Sequence, residues 1–70
     1  MKTLRIENFR NGEWMLRGEG QVPADITLDQ IKDSTDRSAL NGPTRALLDG
    51  AVVYETKKIT RARAKALFGL

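Results

Sequence analysis

The sequence predicts a small α+β domain: a three-stranded sheet, antiparallel or mixed, packed by two or three short helices in the order β-β-α-α-β-α. Three observations point there. The residues flanking Asn11-Gly12 alternate like the arms of a hairpin. Thr27 is followed three residues later by Gln30, the signature of a helix start. Val52, Val53 and Tyr54 are strand formers and stand just before a second cap at Thr60. At 70 residues the chain makes one domain, spanning 1–70.

The hairpin is expected over Thr3 to Glu19. A two-residue Asn11-Gly12 turn would set Ile6 against Arg17 and Leu4 against Glu19. A three-residue loop shifts the register by one and pairs Ile6 with Leu16, Asn8 with Trp14 and Leu4 with Gly18. The second register places Leu4, Ile6, Trp14 and Leu16 on one buried face, with Gly12 in the left-handed position of a G1 bulge, and is preferred for that reason. It leaves Arg5, Glu7, Glu13, Arg17 and Glu19, with Phe9 and Met15, on a solvated face. Trp14 is expected in the core. Gly18, Gly20 and Pro23 mark the end of the hairpin.

The first helix is expected from Leu28 to about Asp33, extending irregularly towards Leu40. Thr27 and Gln30 form its capping box, Ile26 and Ile31 its hydrophobic staple, and Asp29 suits the helix dipole. Asn41-Gly42-Pro43 breaks the chain. A second short helix is then expected from Pro43 or Thr44, with Ala46, Leu47 and Leu48 as apolar members and Gly50 as its stop. Ala51 to Thr56 is the third strand. Thr60 caps the last helix, Leu67 and Phe68 anchor it in the core, and Gly69 ends it with Leu70 folded back on the last turn.

Composition excludes several chemistries. The chain has no cysteine and no histidine, so disulfides, thiolate metal sites and the usual base near neutral pH are ruled out. Asp25, Asp29, Asp33 and Asp36 recur at helical spacing but lack the spacing of a calcium loop, so no metal site or cofactor is expected. Enzyme activity is not expected, because a domain this small rarely encloses a reaction pocket. The longest apolar run, Ala51 to Tyr54, is far short of a membrane span, and a cytoplasmic protein with no membrane partner is expected.

Charge is the informative signal. The formal net charge is +3, yet residues up to Glu55 carry seven Lys/Arg against nine Asp/Glu. The remaining five cations, Lys57, Lys58, Arg61, Arg63 and Lys65, stand in a segment with no acid. Arg61 and Arg63 fall in the first helical turn, where positive charge is unfavourable. A helix entrance rich in cations and free N–H groups suits an anion. These five residues are the candidate nucleic-acid or anion-binding site. Five phosphate contacts would give a steep salt dependence.

The expected function is therefore that of a non-catalytic accessory regulator binding nucleic acid through phosphates. The alternative is a protein-binding inhibitor or adaptor of the viral or mobile-element kind, using the same basic tip against an acidic protein surface. The charge contrast also permits a homodimer. A further option is internal: Asp25, Asp29, Asp33 and Asp36 could neutralise the tip themselves.

Two local resemblances add little. Leu4 to Arg10, LRIENFR, resembles the opening strand of recombination and chromosome-maintenance ATPases, but NGEWML stands where their Gly-rich phosphate loop would follow. ETKKITRARAKALFG is similar to the first helix of a helix-turn-helix, without a second, reading helix after it.

Overall fold

The N-terminal hairpin forms as two long strands, β1 (Lys2–Arg10) and β2 (Glu13–Val22), in a computed structural model that describes residues 1–40 and 42–69. Its turn is the two-residue Asn11-Gly12 connection, with φ of 52° and 81°, and Arg10 opposes Glu13. Both central residues sit at positive φ, the type I′ pattern that matches strand twist. The preferred three-residue loop is thus corrected. The clash that argued against the short turn, Ile6 facing Arg17, is removed by a bulge instead. Arg17 drops out of the pairing, and Ile6 opposes Gly18 while Glu7 opposes Leu16.

The two-residue turn decides which residues share a face, and the bulge acts only beyond Glu7. Leu4 and Ile6 point to the core, each 8 % exposed. Trp14 pairs with Phe9, and Leu16 with Glu7, on the opposite side of the sheet. Trp14 is half-buried and Leu16 is exposed, so neither joins Leu4 and Ile6 in the core.

Helix α1 (Leu28–Arg37) starts as its sequence requires. The Thr27 hydroxyl accepts from the Gln30 N–H, and the Gln30 side chain accepts from the Thr27 N–H. Ile31 is buried against Leu4, Ile6 and Ala46, with Ile26 packed beside them. The helix runs past Asp33 to Arg37, within the extension towards Leu40 that the sequence allows. Thr35 turns its hydroxyl onto the Ile31 carbonyl at 2.7 Å, so it is satisfied within the helix rather than breaking it.

The segment expected as a second helix is a strand, β3 (Thr44–Leu48). It pairs antiparallel with β1 and turns through Asp49 (φ 49°) and Gly50 (φ 87°) into β4 (Ala51–Thr56). The helix propensity of Ala46, Leu47 and Leu48 is overridden, because β1 offers a free edge and Thr44 and Ala46 become fully buried against α1. The fold is α+β, with an antiparallel sheet of four strands ordered β2-β1-β3-β4 and two helices, in the chain order β-β-α-β-β-α. Asn41 of the predicted break and the contact predicted for Leu70 lie outside the described residues.

Polar contacts tie α1 to the sheet. The Asn8 amide donates to the Ser38 carbonyl at 2.9 Å and to the Thr44 hydroxyl at 2.7 Å. These bonds satisfy groups that the small apolar core cannot cover. The molecule is a slab with extents of 33 × 29 × 15 Å, one sheet and one helical layer thick. The face of the sheet away from the helices is open. It displays Arg5, Glu7 and Phe9 from β1, Trp14 and Leu16 from β2, Arg45 and Leu47 from β3, and Val52 and Glu55 from β4.

Candidate functional site

Helix α2 (Arg61–Phe68) carries the basic tip. Thr60 caps it by accepting from the Arg63 N–H at 3.1 Å, and Gly69 closes it at φ 69°. The expected apolar anchoring by Leu67 and Phe68 does not occur: α2 has no buried residue, and Phe68 is 41 % exposed. Polar contacts hold the helix instead. The Ile59 N–H donates to the Ala39 carbonyl at the end of α1. Arg63 donates from Nε to Asp36 Oδ2 at 3.1 Å and from Nη2 to Asp33 Oδ1 at 2.8 Å.

The five predicted site residues therefore divide. Arg63 is committed to the aspartates of α1, which is the internal option realised for one cation. Asp33 is the largest cause, and Asp36 the next, that push the Arg63 guanidinium further above its ordinary range. Lys57, Lys58, Arg61 and Lys65 are exposed and make no ion pair among the described residues. Of the four aspartates, only Asp33 and Asp36 reach the tip.

Asp36 is 3 % exposed and accepts two hydrogen bonds, from Arg63 and from the Tyr54 hydroxyl at 3.0 Å. Burial is the main cause that raises the Tyr54 pKa above its usual 10.0; the bond with Thr56 opposes it and the bond to Asp36 reinforces it. A neutral Tyr54 favoured by folding stabilises the protein fully below about pH 10. That contribution is lost as pH rises through the higher folded-state value. Thermal unfolding followed from pH 9 to 12 should show a steeper alkaline loss in the parent protein than in Tyr54→Phe.

A second cluster, absent from the sequence reading, lies on the open face. The Glu7 carboxylate, 7 % exposed, sits between Arg45 Nε at 2.7 Å and Arg5 Nε at 2.9 Å. The Arg45 contact is a hydrogen bond, whereas Arg5 Nε makes only the charge contact. Arg45 Cζ lies 4.2 Å from the centre of the Trp14 ring, within cation–π range. Phe9 meets Trp14 at 5.2 Å with the rings tilted by 58°. Glu7 thus orients Arg45, and Arg45 supports Trp14.

Beside these rings an open cavity of about 490 Å³ is lined by Phe9, Trp14, Pro43, Glu55, Thr56 and Lys57. Lys57 belongs to both features. It lines the aromatic cavity and begins the run of cations that leads through Lys58 into α2. The Asp49-Gly50 pair between apolar runs was the one signal in the sequence for the second hairpin, which brings Arg45 and Lys57 to this face.

Among the described residues no group of three acids is placed to hold a metal ion, and no helix is long and apolar enough to cross a membrane. No protein family matches this chain, and no curated protein or solved structure shows significant similarity to it.

Proposed function

We propose that the protein is a non-catalytic accessory regulator that binds nucleic acid through phosphate contacts from Lys57, Lys58, Arg61 and Lys65. The observation that carries this reading is that they have no ion-pair partner among the described residues, beside an Arg63 that bonds two aspartates. A fold that neutralises one cation of the tip with its own aspartates leaves the other four unpaired among the described residues, open to solvent or to an external anion. Helix α2 has no acid in its first turn, so its dipole adds to the positive potential there. Lys57 then joins that potential to an aromatic cavity, the combination that single-stranded nucleic acid uses.

Binding of a single-stranded and a duplex oligonucleotide, measured between about 50 and 200 mM salt, tests the reading. Four phosphate contacts should lower affinity about 50-fold for a single strand and about 150-fold for a duplex over that range. A flat salt response, or no binding at the lower salt, removes it.

A second reading rests on a different observation. Leu16 and Val52 are 55 % and 49 % exposed on the open face, flanking the cluster of Glu7 with Arg5 and Arg45. Such a surface fits a protein partner, as an inhibitor or adaptor would require, or a second copy of the chain. Sedimentation across a range of protein concentrations separates a homodimer from a monomer that waits for a different partner.

A further inference from the structure

We infer that the cavity between Trp14, Phe9 and Lys57 is a subsite for one unstacked guanine base of a bound single strand, an inference that rests on the phosphate-binding reading above. The cavity, about 490 Å³, exceeds what a single base needs and lies within the range of small-ligand sites. Its aromatic walls, Phe9 and Trp14, supply stacking surface that any base can use. Trp14 is held for that purpose before any ligand arrives. Arg45 lies against its ring, and the buried Glu7 fixes Arg45.

Lys57 sets where the strand runs. A base in the cavity has its phosphate within the reach of a lysine that lines the same space, and the next phosphates meet Lys58 and Arg61. Lys57 is the one cation in the cavity lining, and the chain runs from it through Lys58 to Arg61.

Glu55 selects the base. It lines the cavity and makes no ion pair among the described residues. A carboxylate next to a phosphate path is repulsive unless the ligand donates to it. An ionised carboxylate only accepts hydrogen bonds. The Watson–Crick edge of guanine presents two adjacent donors, N1–H and the N2 amino group, which match its two oxygens. Adenine and cytosine each present one amino donor beside an acceptor nitrogen. Thymine and uracil present one N–H between two carbonyls, which would face the carboxylate oxygens. Only guanine makes the contact without opposing lone pairs.

The chain has a single tryptophan, so emission excited selectively at tryptophan, beyond the absorption of Tyr54, reports this cavity. The probes are thymidine octamers with one central guanine, adenine, cytosine or thymine, and the same series on a uridine ribose backbone to separate DNA from RNA. Fluorescence polarisation of labelled octamers gives affinity, and Trp14 emission gives occupancy. The guanine octamer should quench Trp14 and bind about tenfold more tightly than the others. Glu55→Gln should bring the four octamers within about twofold of one another. Trp14→Leu should weaken all of them by about tenfold. Should Trp14→Leu fail to fold, Glu55→Gln, at an exposed position, still decides the matter.

Equal affinity for all four octamers with unchanged Trp14 emission overturns the subsite, and a retained salt dependence in that result leaves the phosphate reading standing. Absence of binding at about 50 mM salt overturns both. Trp14 emission that shifts with protein concentration alone would show that a second copy closes this face, and also overturns the subsite.

Discussion

Replacing Lys57, Lys58, Arg61 and Lys65 together by glutamine is expected to lower affinity for a single-stranded oligonucleotide by about 10³-fold at about 50 mM salt. The magnitude follows from counterion release. Each phosphate neutralised contributes about 0.7 to the slope of log affinity against log salt for a single strand, so removal of four contacts should also flatten that slope nearly to zero. Polarisation titrations at several salt concentrations read both quantities. None of the four side chains is buried or paired among the described residues, so the quadruple variant should keep its fold and its melting temperature. Arg63→Gln supplies the contrast. Its guanidinium is occupied by Asp33 and Asp36, so this change should loosen α2 while the salt slope stays as in the parent. A quadruple variant that binds as tightly as the parent would show the tip to be an ordinary solvated surface.

Asp36→Ala should be the most damaging of the aspartate substitutions, at about 2–3 kcal/mol. Removal of this carboxylate strands the half-buried Tyr54 hydroxyl and takes away one of the two side-chain bonds that hold α2. In a domain of 70 residues that corresponds to a fall in melting temperature of about 10–20 °C. Asp33→Ala should cost less than about 1 kcal/mol, because Asp33 is 54 % exposed and its ion pair is screened by water. Asp25→Ala, at an exposed position, should stay within about 0.5 kcal/mol. Thermal melts of the three variants, with hydrogen exchange to follow α2, test the ordering. If Asp36→Ala and Asp25→Ala melted together, the clamp between the helices would have no energetic role.

Both experiments bear on the same division within the basic segment. Five cations look equivalent in sequence, and the fold separates one from the other four. Arg63 is the one that faces α1, because the Ile59 backbone bond to Ala39 sets α2 against the end of that helix. The separation makes the surviving charges more informative: available aspartates exist nearby, and four cations do not use them. Asp33 and Asp36 also explain why Arg63 tolerates a helix entrance that disfavours positive charge.

Local rules were legible where a few neighbouring residues settle the outcome. The capping box of Thr27 and Gln30, the Ile26 and Ile31 pair, the Thr60 cap and the Gly69 stop all stand as the residues require. Each involves groups within about one helical turn, so no distant contact can redirect it. The strand over Ala51 to Thr56 was legible from its β-branched run. The hairpin was readable in kind but not in register. A turn preference and a burial preference conflicted there: the turn prevailed and left Trp14 and Leu16 on the open face, while the bulge at Arg17 spared Ile6 a facing charge.

Sequence by itself determined an α+β chain with a first hairpin, two capped helices and a cationic C-terminal segment, because these depend on short-range stereochemistry and on charge counts. Tertiary structure alone decided that Thr44–Leu48 is a strand, that Trp14 lies on the open face, and that Arg63 is paired while Lys57 borders an aromatic cavity. These outcomes turn on partners far away in the chain: β1 for the strand, Phe9 and Arg45 for Trp14, Asp33 and Asp36 for Arg63. Their energies exceed the tenths of a kcal/mol per residue by which local propensity would have chosen otherwise.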